Sequence, residues 1–379
     1  MQKSNVVIEK IKREEKMKDN PLIALEALGQ SIWLDDIQRS LMSSGKLKQY
    51  IEQDGLAGIT SNPSIFEKAI AESNDYDDDI HRMVKEGKNT QSIYDALTIQ
   101  DVQTAADEFL PVFNNKKGRD GFVSLEVNPH LAHDTQGTIE EARRLWKSLN
   151  RPNVLIKVPA TQEGLAAIEQ LISEGINVNV TLLFGLQRYR EVALAYISGL
   201  EKRLYSGEPI QSIASVASFF LSRIDVLIDP LLEKVHDSGI QGEVAVASAK
   251  MAYQIYKEIF QSERFKKLVP HGANAQRLLW ASTSTKNPQY SDVKYVDELI
   301  GPDTVNTLPT ETLTAYRDHG DPVERLEDDV EHANAVFNKL SECGIDIDQI
   351  TQQLEDEGVE KFKIAYDKLI NAITQKEGK

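Results

Sequence analysis

The sequence predicts a (β/α)8 TIM barrel carrying a helical insertion and a C-terminal helical extension. Three observations lead there. Short apolar runs alternate with longer amphipathic ones, eight such short runs occur in the 379 residues, and the runs are apolar on both faces, as buried parallel strands are. The same alternation also allows a doubly wound open sheet, which stands as the alternative fold.

The predicted strands are residues 31–35 (SIWLD), 56–60 (LAGIT), 122–127 (FVSLEV), 153–158 (NVLIKV), 177–183 (NVNVTLL), 213–219 (IASVASF), 278–283 (LLWAST) and 304–308 (TVNTL). Segments 139–149, 164–173, 186–204 and 224–235 between them have helical periodicity. Ser64 with Glu67, following Pro63, and Thr138 with Glu141 have the spacing of capping boxes and predict helix starts. The stretch 243–248 (EVAVAS) has strand-like composition, but apolar spacing at three and four continues to Phe260, so it opens a helix.

A barrel of this kind needs about 250 residues, so part of the chain is additional. Residues 74–113 read as a helical insertion between the second and third strands. Residues 321–379 read as two helices, 322–343 and 345–374, broken at Gly344 and packed on the barrel. This divides the chain into an N-terminal arm (1–20), a barrel domain (21–320) and C-terminal helices (321–379).

The formal net charge of −16 repels nucleic acid and anionic membrane surfaces, which points to small molecules or other proteins as partners. An anionic substrate would need a local cluster of Lys and Arg. The one cysteine, Cys343, permits no intrachain disulfide and no cysteine-rich zinc site, and it fits a reducing, cytoplasmic compartment. The N-terminus mixes acids and bases without the apolar core of a signal peptide, and no apolar run approaches the ~20 residues of a membrane-spanning helix. No dinucleotide or phosphate-loop motif is present, and His130 and His133 lack a zincin pattern or a third ligand, so neither a cofactor nor a metal is expected. Trp33 and Trp146 read as packing aromatics.

In a TIM barrel the chemistry sits at the C-terminal ends of the strands. Here those ends carry Asp35, then Thr60, Ser61 and Asn62, then Glu126, Lys157, Asn179 with Thr181, Ser218 with Phe220 and Arg223, and Ser282 with Lys286. An ionisable group inside an apolar strand is costly unless paired or used. Lys157, in VLIKVP, is the sharpest case. Its ordinary explanation is a strand-end lysine whose ammonium snorkels to water. Two acids ending strands of the same barrel shift the balance. A lysine desolvated in a barrel mouth can fall from ~10.4 towards ~7–8, where the neutral amine attacks ketones. A protonated imine formed in this way withdraws electrons and permits cleavage of the neighbouring carbon–carbon bond, and two carboxylates can divide the base and relay roles.

Each residue also has a plainer reading. Asp35 would suit a helix N-cap beside Asp36, Glu126 a structural ion pair with Lys157, and Asn62-Pro63 a turn or cap. Arg223 would suit a surface pair with Asp225, and Phe220 an ordinary core aromatic, with Phe219 beside it as the alternative. On the functional reading Asn62, Asn179 and Ser218 hydrogen-bond a polyol, while Arg223, Ser282 and Lys286 hold a phosphate.

The stretches SIWLDDIQR (31–39), GITSNPSIFEKAI (58–70), VSLEVNP (123–129), VLIKVPAT (154–161), INVNVTLLF (176–184) and SVASFFLSRID (215–225) together resemble the transaldolase family, in its longer bacterial type. The likeness runs from about Asn20 through the C-terminal helices. It implies a circularly permuted barrel with Schiff-base Lys157 on the fourth strand, and Asp35 as acid/base on the C4 hydroxyl. Glu126 with Thr181 and a water is implied as the proton relay. It further implies that Asn62, Asn179 and Ser218 hold a dihydroxyacetone moiety and that Arg223 binds phosphate. Beside these, the strand ends assign Thr60 to the substrate, Phe220 to an apolar wall facing the enamine, and Ser282 and Lys286 to phosphate after the seventh strand, where the likeness is loose. The implied reaction converts sedoheptulose 7-phosphate and glyceraldehyde 3-phosphate to erythrose 4-phosphate and fructose 6-phosphate, in the non-oxidative pentose phosphate pathway, by a monomer or homodimer without cofactor. Two rivals share the barrel. Fructose-6-phosphate aldolases release free dihydroxyacetone, but are shorter and carry other residues where this chain has Glu126 and Phe220. A non-catalytic sugar-phosphate binder would be expected to lack the lysine or an acid.

Overall fold

The computed structural model describes residues 20–235 and 239–378. The predicted arm lies outside the described residues except for Asn20, whose side chain caps the helix Pro21–Ala27 by accepting from Leu22 N at 3.0 Å.

Eight parallel strands close into a barrel in chain order: β1 (Gln30–Leu34), β2 (Gly58–Ile59), β3 (Phe122–Glu126), β4 (Val154–Pro159), β5 (Val178–Leu183), β6 (Ser215–Phe220), β7 (Arg277–Ala281) and β8 (Thr304–Leu308), with β8 pairing back onto β1. Their bounds lie within two residues of those predicted. Strand residues are buried throughout, because each strand has the barrel interior on one side and a helix on the other. β2 is the shortest, and glycine is required in it: a Cβ on Gly58 would lie 2.6 Å from the indole of Trp33, its register partner on β1. The floor of the barrel is a buried polar plug. Arg277 pairs with Asp120 at 2.8 Å and donates to Ser31 Oγ at 2.8 Å, while Trp33 Nε1 donates to the same carboxylate at 3.1 Å.

The helices between strands run close to the predicted segments, and the two with predicted capping boxes start ahead of them. Asn62, not Ser64, caps the helix Pro63–Glu72, accepting from Ile65 N at 3.1 Å with Pro63 at the first helical position. Asp134, not Thr138, caps Thr135–Leu149 by accepting from Gly137 N at 2.9 Å, and the Thr138 hydroxyl bonds Leu131 O instead. The segment opening at Glu243 is the helix Val244–Phe260.

The region after β2 is organised differently from a simple 74–113 insertion. Its long helix, Thr90–Asn115, packs on β3 as the barrel's own helix, and Pro63–Glu72 and Asp77–Lys85 pack on the C-terminal helix. At the other end, residues 321–329 form no helix, because Arg325 N and Leu326 N both bond Ile300 O. The penultimate helix begins only at Val330, capped by Asp329. That helix, Val330–Glu342, lies along Val244–Phe260.

The C-terminal helix (Ile347–Glu377) is what most affects the site. It crosses the C-terminal face of the barrel from one loop to the next. Glu355 meets Arg188 at 3.3 Å after β5, Tyr366 OH receives Asn128 Nδ2 at 3.4 Å after β3, and Lys376 donates to Ser73 O at 2.7 Å and pairs with Asp77 beyond β2. Midway it presents Gly358 to Leu182 and Arg223, and Phe362 to the mouth of the barrel.

Candidate active site

The strand ends converge on a cavity of about 260 Å³ at the barrel mouth. Asp35, Thr60, Asn62, Lys157, Ser218, Phe220, Arg223, Ser282 and Lys286 all line it. Glu126, Thr181 and Asn179 do not: they lie behind this surface, inside the barrel.

Lys157 is 4% exposed. Its ammonium therefore stays in the barrel rather than snorkelling to bulk water. β3 and β4 are in a register that sets Glu126 beside it, and Nζ donates to Glu126 Oε1 at 2.9 Å and to Ser61 O at 2.7 Å. The ion pair named as the plainer reading of Glu126 thus exists. It is buried on both sides, and removing one partner would strand the other charge. Burial pushes the Glu126 carboxyl above its ordinary value, against the opposing pull of Lys157 and the hydrogen bond from Ser61. A carboxylate so placed is a ready acceptor for the lysine's proton.

Asp35 follows β1 directly, and its N–H bonds Leu308 O at 2.8 Å. It caps no helix among the described residues. Its carboxylate accepts from Thr60 Oγ1 at 2.9 Å, with Asn62 Nδ2 at 3.5 Å. Burial raises the Asp35 pKa, with Lys157 pulling the other way. Asp36 is distinguished by direction: its carboxylate accepts from Gln38 at 2.9 Å and Thr310 at 2.7 Å and does not line the cavity. Thr60, also within 2.9 Å of Thr307 Oγ1, holds Asp35 from below. Asn62 serves both readings at once, capping a helix with its carbonyl and turning its amide toward Asp35.

β5 is distorted where it meets the site. Its pairing with β6 shifts between Val180 and Leu183, and Leu182 adopts φ +56°, a left-handed conformation that costs a branched residue energy. Thr181 Oγ1 in this bulge is buried without a protein partner. Asn179 is committed internally: its amide donates to Ser124 Oγ at 3.0 Å and its carbonyl accepts from Ser218 Oγ at 2.7 Å. Of that pair it is Ser218 that reaches the cavity.

Arg223 is the second residue of the helix Ser222–Lys234. It does not pair with Asp225, which is held by Lys294 at 3.1 Å and by Tyr295 OH at 2.7 Å. Instead its guanidinium stacks over the Phe220 ring at 5.2 Å, and its Nη1 is buried without a partner. Burial lowers its pKa, opposed by the charges of Asp35 and Glu357. A Cβ on Gly358 would come within 3.0 Å of Leu182 Cδ2, so the glycine eases the approach of the C-terminal helix to the β5 bulge, while 3.6 Å to Arg223 Nη1 would be ordinary contact. A planar guanidinium that lines the cavity and has a buried, unpartnered Nη1 suits phosphate recognition.

Phe220 ends β6 rather than following it. Its ring faces the cavity beside Phe184 at 5.3 Å, whereas Phe219 turns away against Trp280 at 6.4 Å. Ser282 adopts φ +55° and shares a 2.9 Å hydrogen bond with Ser222 Oγ, and Lys286 is exposed at the rim. Sequence reasoning did not single out Thr307, Glu311 or Phe362, which also line the cavity, nor the bridging role of Ser61. An inward position on β8 could have flagged Thr307; nothing local marks Phe362.

Elsewhere, His130 and His133 pair with Asp367 and Glu163 at the surface. Among the described residues no group of three His, Cys, Asp or Glu converges to hold a metal ion, and no helix is long and apolar enough to cross a membrane.

Residues 32–373 match the family model described as transaldolase/fructose-6-phosphate aldolase. The chain is similar to the protein named transaldolase from Trichodesmium erythraeum, at 51% identity over 95% of this chain and 98% of the relative. It is also similar to those named transaldolase from Thiobacillus denitrificans, at 48% over 91% and 97%, and Saccharopolyspora erythraea, at 45% over 93% and 97%.

Proposed function

The chain belongs to the transaldolase/fructose-6-phosphate aldolase family, and from that premise we propose a residue-level account of transaldolase action in which Lys157 carries the transferred unit. The activity is transfer of a dihydroxyacetone unit from sedoheptulose 7-phosphate to glyceraldehyde 3-phosphate, giving erythrose 4-phosphate and fructose 6-phosphate. The observation that carries the account is the buried Lys157–Glu126 pair, whose amine opens on the same cavity as Asp35 and Arg223.

The donor's phosphate is held by Arg223, assisted by Ser282 and Lys286 at the rim, while Asn62 and Ser218 hold its hydroxyls. Lys157 gives a proton to Glu126, and its nitrogen attacks the C2 ketone. Glu126, with Thr181 and a water, then returns protons to expel the carbonyl oxygen as water, leaving a protonated imine. Asp35 takes the C4 hydroxyl proton, the C3–C4 bond breaks, and its electrons move into the imine to form an enamine as the aldehyde leaves. Burial raises the Asp35 pKa, which makes it a stronger base than a solvated carboxylate. The acceptor aldehyde then reverses these steps, with Asp35 returning the proton to the new alkoxide. Asn179 acts at one remove, by fixing Ser218. The single cysteine suits a cytoplasmic compartment.

The family description also covers release of free dihydroxyacetone. The test is product analysis from fructose 6-phosphate with and without erythrose 4-phosphate. Sedoheptulose 7-phosphate forming with the acceptor, and little free dihydroxyacetone without it, is expected. Free dihydroxyacetone as the main product in both would overturn transfer.

A further inference from the structure

Ser61 touches both members of the catalytic pair. Its carbonyl accepts from Lys157 Nζ at 2.7 Å, while its hydroxyl oxygen lies 2.7 Å from Glu126 Oε2 and 2.8 Å from Ser124 O. The residue is fully buried. A hydroxyl has one hydrogen and two lone pairs. Its hydrogen can serve only one of the two oxygens at a time. Ser124 O is a carbonyl and only accepts, whereas Glu126 Oε2 can accept or, once protonated, donate.

We propose that Ser61 is a positioning residue that frees the Lys157 amine for attack, by turning its hydroxyl between Glu126 and Ser124 O as Glu126 gains and loses a proton. This rests on the reading of Lys157 and Glu126 given above. With Glu126 ionised, the Ser61 hydroxyl donates to Oε2 and the lysine ammonium donates to Oε1 and to Ser61 O. When Nζ passes a proton to Oε1, that new O–H points back at the nitrogen and ties up its lone pair. A half-turn of the carboxyl about its last side-chain bond, a soft two-fold torsion, places the O–H against Ser61 Oγ and a bare carbonyl oxygen against Nζ. The Ser61 hydrogen then swings to Ser124 O. Every donor in the cluster is again satisfied: the amine keeps N–H bonds to Ser61 O and to the Glu126 carbonyl oxygen, and its lone pair faces the cavity. No atom is gained or lost, and the return of the proton reverses the sequence.

The titratable groups facing Glu126 are Lys157 from β4 and Tyr94 from the helix Thr90–Asn115; burial raises the tyrosine pKa well above its ordinary value, so it stays neutral. The acid limb of imine formation therefore reports the coupled Glu126–Lys157 pair. The test is single-turnover borohydride trapping with fructose 6-phosphate across pH. Ser61→Ala is expected to slow trapping about 10- to 100-fold, the loss expected when a buried partner is removed. Its acid limb should move up by about one pH unit, because the ionised carboxylate loses a stronger bond than the neutral acid does. Ser61→Thr, which keeps the hydroxyl, should restore the limb. If Ser61→Ala does not fold, Ser61→Cys, of similar size but a weak donor, carries the same test. A folded Ala or Cys variant whose acid limb stays where it is in the wild type overturns the proposal, whatever its rate. Glu126→Gln separates the two readings. Wild-type trapping in that variant would overturn the relay itself, whereas slow trapping there beside an unmoved limb in the Ser61 variant would overturn only the role of Ser61.

Discussion

Replacing Arg223 with alanine should weaken the enzyme while leaving its fold as stable or more so. The guanidinium lies over the Phe220 ring at 5.2 Å, has a buried Nη1 without a protein partner, and packs beside Gly358 of the C-terminal helix. Losing a charge-assisted pair with phosphate removes about 1.5–3 kcal/mol, which is roughly 10- to 150-fold in kcat/KM. On the stability side, the cation–π contact contributes about 0.5–2 kcal/mol. Against this, a largely buried guanidinium, offset only in part by the charges of Asp35 and Glu357, carries a desolvation penalty of up to several kcal/mol. The penalty exceeds the contact, so the melting temperature of Arg223→Ala should equal or exceed that of the wild type. Inorganic phosphate at about 100 times its Kd should stabilise the wild type by roughly 2.7 kcal/mol and the variant hardly at all. Arg223→Lys should not restore KM, since a point charge lacks the planar fork. The assay compares fructose 6-phosphate with unphosphorylated fructose as donors, and calorimetry supplies the melting temperatures. A lower melting temperature together with equal losses on both donors would refute this reasoning and make Arg223 structural.

The two acids should separate by step: Asp35→Asn should form the imine and stall at carbon–carbon cleavage, Glu126→Gln should slow imine formation, and Asp36→Asn should do neither. Equal trapping rates in the first two variants would reverse or void the assignment. Burial raises the Asp35 pKa from 3.8, so in that window the folded state binds more protons than the unfolded one and stability falls as pH rises through it. Asp35→Asn should accordingly melt above the wild type at pH 8, with the gap closing towards pH 3.8; a gap that does not depend on pH would contradict this. Phe220 is 7% exposed on the cavity wall, and on the proposed account its apolar ring would keep acids and ordered water from the enamine. Phe220→Tyr should raise release of free dihydroxyacetone relative to transfer, and an unchanged ratio in a folded variant would remove Phe220 from that role.

The strands were legible because a barrel strand must be apolar on both faces, and that constraint is local. The caps were less so. Pro63 occupies the first helical position, so the cap falls on Asn62 instead of the Ser64 that matches the box spacing. Which helix covers the barrel is decided by long-range packing. Thr90–Asn115 has apolar residues for β3, but nothing in its sequence says that Pro63–Glu72 will be drawn away to the C-terminal helix. The charged residues of the site were legible because an ionisable group in an apolar strand needs a partner or a use. The orphaned Nη1 of Arg223, the bulge at Leu182 and the arrival of Phe362 at the mouth depend on elements distant in sequence, so only the assembled fold reveals them. The sequence points to Asp35, but a one-residue shift would put Asp36 in its place. They separate because Gln38 and Thr310 engage one, and Thr60 turns the other to the cavity.

The most direct measurement is the location of the covalent intermediate. The intact enzyme is incubated with fructose 6-phosphate, reduced with borohydride, digested and mapped by mass spectrometry. The account predicts a reduced three-carbon or six-carbon adduct on Lys157, with both adduct and transfer activity lost in Lys157→Met. An adduct on any other lysine, or transfer activity persisting in Lys157→Met, would contradict it.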